Sequence, residues 1–132
     1  MFLGEYHTGF TGHSRVVLPK KFRQELAGNL TIILSRGFEG CIWGFAQSSW
    51  EKEASRQLEG LITEKGSRDV RRYLFSGAEG VALDVQGRFV IPSMLLEYAH
   101  LKEEVVIIGA GDHFEIWNPD LWKKALKELV AG

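Results

Sequence analysis

Arg15 and Arg88 are the residues of this chain whose type and placement best suit recognition chemistry. Each stands in a nine-residue phrase, TGHSRVVLP at 11–19 and DVQGRFVIP at 84–92. Arg15, Val17 and Pro19 recur as Arg88, Val90 and Pro92, a shift of 73 residues, while Val16 and Leu18 become Phe89 and Ile91. A guanidinium offers N–H donors in a fixed fork that matches phosphate oxygens, or the O6 and N7 of guanine. Two-stranded ribbons fit the major groove of DNA. An arginine set twice at the same turn, on a rigid hairpin just before a helix, therefore points to nucleic acid. Asp84 lies four residues before Arg88 and can pair with it across the turn. That pair is either an ordinary surface ion pair of little weight or a prop that fixes the guanidinium before DNA arrives. Gly87 supplies the positive backbone angle that a tight hairpin often needs.

Charge supports this locally and not globally. The whole chain carries −1 and has a pI of about 6.4, so total charge gives no argument for nucleic acid. Between Glu5 and Glu25 there is no acidic residue, and Arg15, Lys20, Lys21 and Arg23 bring that stretch to +4. From Gly87 to Ser93 the only charge is Arg88. The first loop, with the more basic flank, is thus expected to dominate DNA contact.

Other chemistries find little footing. The lone G-x-G of GAGDHF (109–114) lacks the third glycine of a dinucleotide fingerprint and leads into a strand, so it reads as a hairpin turn. His7, His13, His100 and His113 show no metal-ligand spacing with Cys41, and no metal or cofactor is implied. Asp112-His113 reads as a polar turn and not a catalytic pair. Cys41, the single cysteine, reads as a small buried side chain. No nucleophile–base–orienter set emerges, and the chain is read as a non-enzyme without a small-molecule substrate. No apolar run approaches the roughly 20 residues of a membrane span, and the start MFLGEYH is unlike a signal peptide. A cytoplasmic protein is expected.

The elements that must position the arginines are themselves repeated. At 132 residues with 45% hydrophobic content, the chain suits one domain or two joined halves with a real core. After Pro19, KKFRQELAG reads as a short helix with Phe22 and Leu26 on one face; after Pro92, SMLLEYAHL places Leu95 and Ala99 in matching positions. LTIIL (30–34) and CIWGF (41–45) read as strand, turn, strand, as do EVVIIGA (104–110) and FEIW (114–117). A helix follows each, capped by Ser48 or Ser49 in the first copy and by Asn118 with Pro119 in the second. Trp50, Ala54, Leu58 and Leu61 line the apolar face of the first, and Trp122, Ala125 or Leu126, and Leu129 that of the last. Between the copies, 64–75 reads as a helix capped by Thr63, with Arg68, Arg71 and Arg72 on a solvated face. GVALDV (80–85) reads as a strand with Val81, Leu83 and Val85 on one side, returning through the turn into RFVIP. Two such units would close one sheet around a pseudo-two-fold axis, each covering the other's edges.

MFLGEYH, the two turn-R-x-x-[LI]-P phrases, RRYLFSGA at 71–78 and the closing EIW…W together resemble the MraZ family of bacterial proteins with tandem SpoVT/AbrB-type domains, over almost the whole chain. The resemblance implies an α+β fold in which two tandem repeats form a pseudo-two-fold, swapped-hairpin (AbrB-like) β-barrel with peripheral helices. On this reading the first repeat spans 5–47, connecting helices 48–76, the second repeat 77–120 and a C-terminal helix 121–132. It also implies a ring-shaped homo-oligomer, associated with the nucleoid, that binds double-stranded DNA at direct repeats upstream of the division and cell-wall gene cluster. The family's D-x-x-x-R is complete at Asp84–Arg88. In the first repeat Thr11, His13 and Ser14 stand where the family usually carries Asp, Lys and Gly, and only Arg15 is kept. The residues so assigned to DNA are His13, Ser14, Arg15, Lys20, Lys21, Gln86 and Arg88, with Thr11, Asp84 and Gly87 positioning the loops. The rival reading is a ring-forming assembly protein that docks a partner through the 64–75 helix, without reading DNA.

Overall fold

The computed structural model describes residues 1–132. Eight strands and five helices alternate in an α+β arrangement: β1 (Glu5–Gly9), β2 (Arg15–Val17), α1 (Lys20–Gln24), β3 (Thr31–Arg36), β4 (Ile42–Ala46), α2 (Gln47–Gln57), α3 (Lys65–Ser76), β5 (Glu79–Ala82), β6 (Arg88–Val90), α4 (Ser93–Tyr98), β7 (Glu104–Gly109), β8 (Phe114–Trp117) and α5 (Pro119–Ala131). All strand pairs are antiparallel.

The strands on the two sides of each arginine turn do not pair with each other. β1 pairs with β7, β5 pairs with β3, and β2 pairs with β6. The expected hairpin of 80–85 with 88–92 is therefore corrected: each ladder formed by these arms joins the first repeat to the second. Sheet order is β1-β7-β8-β4-β3-β5, with β2-β6 as a separate ribbon. The hydrogen-bonded sheet does not close into a barrel, since β1 and β5 remain its edges. The registers repeat the symmetry of the sequence. His7 faces Val106 as Gly80 faces Ile33, the same 73-residue shift. Val16 faces Phe89, and Trp43 faces Glu115, so equivalent residues meet at the centre of each symmetric ladder.

Strand periodicity explains how one sheet carries two apolar layers. Along β7, Val105 and Ile107 enter the main core while Val106 and Ile108 enter a second cluster on the opposite face. The main core holds Val16, Leu18, Phe22, Ile32, Leu34, Phe89, Ile91, Leu95, Phe114 and Ile116. Phe22 sits at its centre, with ring centroids 5.2 Å from Phe2, 5.2 Å from Tyr6 and 5.8 Å from Phe114. On the other face α5 leans Trp122 on Trp117, and α2 leans Trp50 on Phe45.

Several local expectations shift. Asn118 caps α5 by accepting from the amides of Asp120 and Leu121, but α2 begins after Ala46 and α3 after Glu64, neither with a side-chain cap. The two helical tryptophans are half-buried at helix–sheet contacts, Trp122 against the second cluster and Trp50 against Phe45. α2 ends at Gln57, so Leu58 and Leu61 leave its apolar face and are 51% and 62% exposed; Leu129 is 70% exposed. Leu83 is buried, yet Val85 is 95% exposed because the strand stops at Ala82 and Val85 falls in the turn. No helix is long and apolar enough to cross a membrane.

Candidate nucleic-acid interface

The β2–β6 ribbon is the platform on which both arginines stand. Val16 and Phe89 oppose each other and point into the core, 0% and 1% exposed. Alternation along the strands then places Arg15, Val17, Arg88 and Val90 on the ribbon's other face. Arg15 is opposite Val90, and Arg88 is opposite Val17, so the arginines lie on a diagonal. Such diagonal neighbours sit about 7–8 Å apart. Both line one shallow depression with Leu83, Asp84 and Phe89. The ribbon's ends are fastened symmetrically: the Leu18 amide donates to the Gly87 carbonyl at 2.9 Å, and the Ile91 amide to the Ser14 carbonyl at 2.8 Å.

The second loop is tightly built. Asp84 Oδ1 accepts from the amides of Gln86 and Arg88, each at 2.9 Å, and Oδ2 accepts from Arg88 Nε at 2.7 Å. The backbone closes the same turn, with Asp84 N to Arg88 O and Gly87 N to Asp84 O at 2.9 Å each. The Arg88 amide, with help from the Arg88 guanidinium and the Gln86 amide, holds the Asp84 carboxyl below the usual carboxylate range. Because Asp84 takes only Nε, the two terminal nitrogens of Arg88 keep their donors for a ligand. Gly87 adopts a φ of 81° and carries the turn into β6.

The first loop has the same outline with fewer ties. The Thr11 amide donates to the Arg15 carbonyl at 2.7 Å, and Thr11 Oγ1 makes a long 3.4 Å contact to the same oxygen. Thr11 does not hold the Arg15 guanidinium, which has no ion-pair or hydrogen-bond partner. Ser14 takes the left-handed conformation of Gly87, with φ at 59°, despite its Cβ. Gly12, at φ 84°, makes the other left-handed step. His13 is exposed at the tip.

The basic run does not flank the loop that precedes it in sequence. Antiparallel pairing brings the end of β2 beside the start of β6, so α1 begins next to the second loop. Leu18 bonds Gly87, Lys20 follows two residues later, and Arg23 Nη1 donates to the Gln86 carbonyl at 3.3 Å. Lys21 borders Met1, Leu3 and Tyr6 on the N-terminal side of α1. The expectation that the first loop has the more basic surroundings is thereby corrected: Arg23 lies on the second loop, and Lys20 opens the helix that starts beside it. The region beside the first loop is the start of α4, whose one charged residue is Glu97.

Residues outside the ribbon are structurally employed. Arg68 and Arg71, expected on a solvated face, donate to the carbonyls of Ile62, Thr63, Leu58 and Gly60 and pin the turn between α2 and α3. Arg72 pairs with Asp69. Burial pushes the Cys41 thiol up, and its Sγ donates to the Phe38 carbonyl. His113 does touch Asp112, but it lies between that residue and Glu115. Burial alone would lower its pKa, and the two carboxylates outweigh it and raise the value. What sequence reasoning missed is Arg23, counted only as charge; its signal was the mismatch with Leu96 at the equivalent position.

Comparison with known proteins agrees with the internal duplication. The family model described as "MraZ protein, putative antitoxin-like" matches residues 1–72 and 74–131. The chain belongs to the MraZ family. It is 42% identical over its full length to a protein of Roseiflexus sp. named "Transcriptional regulator MraZ", covering 91% of that relative. It is 41% identical over its full length to the protein of that name from Paenarthrobacter aurescens, again covering 91%. With the one from Clostridium acetobutylicum it shares 36% identity over 92% of this chain and 84% of the relative. MraZ family membership thus rests on both halves of the chain.

Proposed function

We propose that this chain is a sequence-specific DNA-binding transcriptional regulator whose reading head is the outward face of the β2–β6 ribbon. The observation that carries the proposal is the pairing of Arg15 and Arg88 on one face, across a ribbon whose other face is buried core. Guanidinium forks at that spacing on a two-stranded ribbon suit adjacent bases of a major groove. The names of the relatives support regulation of transcription. Arg88 is the stronger reader in this proposal, because Asp84 orients it and Lys20 adds charge nearby. Arg15, His13 and Ser14 form the second contact, and Lys20 and Lys21 act on phosphates.

The target is a set of direct repeats upstream of the division and cell-wall gene cluster, read in the cytoplasm at the nucleoid by a ring-shaped homo-oligomer. The arms exchanged between repeats, β1 onto β7 and β5 onto β3, fit a swapped-hairpin ancestry. The exposed Leu58, Leu61, Ile62, Leu129 and Val130 supply apolar surface for self-association. One ribbon alone binds weakly; neighbouring subunits raise the effective concentration for adjacent repeats. Selection of bound duplexes from a random DNA library tests the whole. A recurring, evenly spaced short element is expected, and recovery of unselected sequence would overturn the proposal.

A further inference from the structure

We infer that Arg23 is a positioning residue for the Arg88 loop and not one of the cations that meets DNA; the inference rests on the reading that Arg88 contacts bases. Arg23 belongs to the first repeat, on α1, yet it lies over the turn of the second. Its Nη1 donates to the Gln86 carbonyl at 3.3 Å. Its Cδ and Nε cover Gly87 so closely that a Cβ there would stand 2.4 Å and 2.7 Å from them. Arg23 Nε is buried in this contact without a partner. A buried N–H left unpaired is costly, so the side chain gives up donor capacity to sit on the turn.

The geometry shows what this contact holds. Asp84 reaches Arg88 only while the amides of Gln86 and Arg88 point at its Oδ1. Rotation of the Gln86–Gly87 peptide would withdraw the Gln86 carbonyl from Arg23 and the Gly87 amide from the Asp84 carbonyl, opening the turn that sets the Gln86 and Arg88 amides against Oδ1. Arg23 and the Leu18 amide, which takes the Gly87 carbonyl, fix two successive carbonyls of the turn from outside. The equivalent of Arg23 in the second repeat is Leu96, which packs against the core instead. The glycine and the arginine thus occur together at the second loop. The first loop has Ser14 and no such clasp. Gly87 serves two purposes: its left-handed backbone and the space Arg23 fills.

Two variants separate positioning from charge. Arg23→Leu installs the residue of the other repeat, and Arg23→Lys keeps the charge without the fork. Amide hydrogen exchange of Gln86, Gly87 and Arg88, measured by NMR on the DNA-free protein, should accelerate several-fold in both variants while the β7 amides stay unchanged. Binding to a selected duplex should lose discrimination against scrambled DNA in both. The slope of log affinity against log salt should stay at the wild-type value, whereas loss of a phosphate contact would lower it by about 0.9. In an Arg88→Ala background, Arg23→Leu should cost no further discrimination. Unchanged exchange at the loop, or an Arg23→Lys protein indistinguishable from wild type with a reduced slope for Arg23→Leu, would overturn the inference. If wild-type protein discriminates between no duplexes, the DNA reading fails, and the exchange rates still decide whether Arg23 holds the loop.

Discussion

The loop at Asp84–Arg88 and the loop at Thr11–Arg15 descend from one pattern and differ in how they are held. The second is closed by a carboxylate that engages two amides and a guanidinium, and it is covered by Arg23 from the other repeat. The first keeps the backbone closure and the arginine, but Thr11 offers only a hydroxyl, and Ser14 occupies a backbone region that suits glycine. Duplication preserved the arginine and relaxed its support on one side. A preorganised guanidinium loses less freedom on binding than a free one. In the proposed function one loop is therefore the fixed reader, and the other adapts to what the first has found.

Breaking the fixed loop should have the largest effect. Gly87→Ala places a Cβ against Arg23 and forces a left-handed alanine. Urea denaturation should show a loss of about 1–3 kcal/mol. Next comes Asp84→Ala, for which two physical effects have opposite signs. Removing a negative charge beside the ribbon should strengthen attraction to phosphates, whereas freeing Arg88 should weaken base discrimination. Anisotropy titrations are expected to show discrimination falling several-fold even where nonspecific affinity rises. Tighter and equally selective binding would mean that Asp84 has no orienting role.

The same contrast appears in acid. The folded-state pKa of Asp84 is depressed, so its stabilisation of the loop is present above the unfolded value and is lost as pH falls through the lowered one. The Arg88 Nε–H resonance should shift below the ordinary carboxylate range, while that of Arg15, which has no carboxylate partner, should not move with it. The smallest effect is expected from Ser14→Gly, which relieves the left-handed serine at some cost in chain entropy. A gain of about 0.5–1 kcal/mol in thermal or urea unfolding is expected. A loss would show that Ser14 has a role beyond filling the turn.

Much of this organisation was legible in the residues. The 73-residue shift predicted equivalent strands and helices, and the registers of β1–β7 and β3–β5 repeat it. Spacing alone puts Leu95 and Phe22 on buried helix faces, and both lie in the core. Which strand meets which was not legible, because a turn closed by Gly87 looks the same whether its arms pair with each other or diverge. That single ambiguity hides where the basic run lies: Arg23 follows Arg15 in the sequence and covers the Arg88 loop in space, with Lys20 at the start of the same helix. Leu58, Leu61 and Leu129 depart from expectation for a related reason: their periodicity marks an apolar face, and a lone chain does not say what covers it.

In the proposed function two guanidiniums on one ribbon face read DNA, and the anchored one reads more strongly. Anisotropy titration of a selected duplex and its scrambled counterpart, with wild type, Arg15→Ala, Arg88→Ala and the double variant at fixed salt, tests it most directly. Each single change should remove about 1–3 kcal/mol of discrimination, Arg88→Ala the more, and the double variant should bind both duplexes alike. A double variant that still prefers the selected duplex as wild type does would contradict the account.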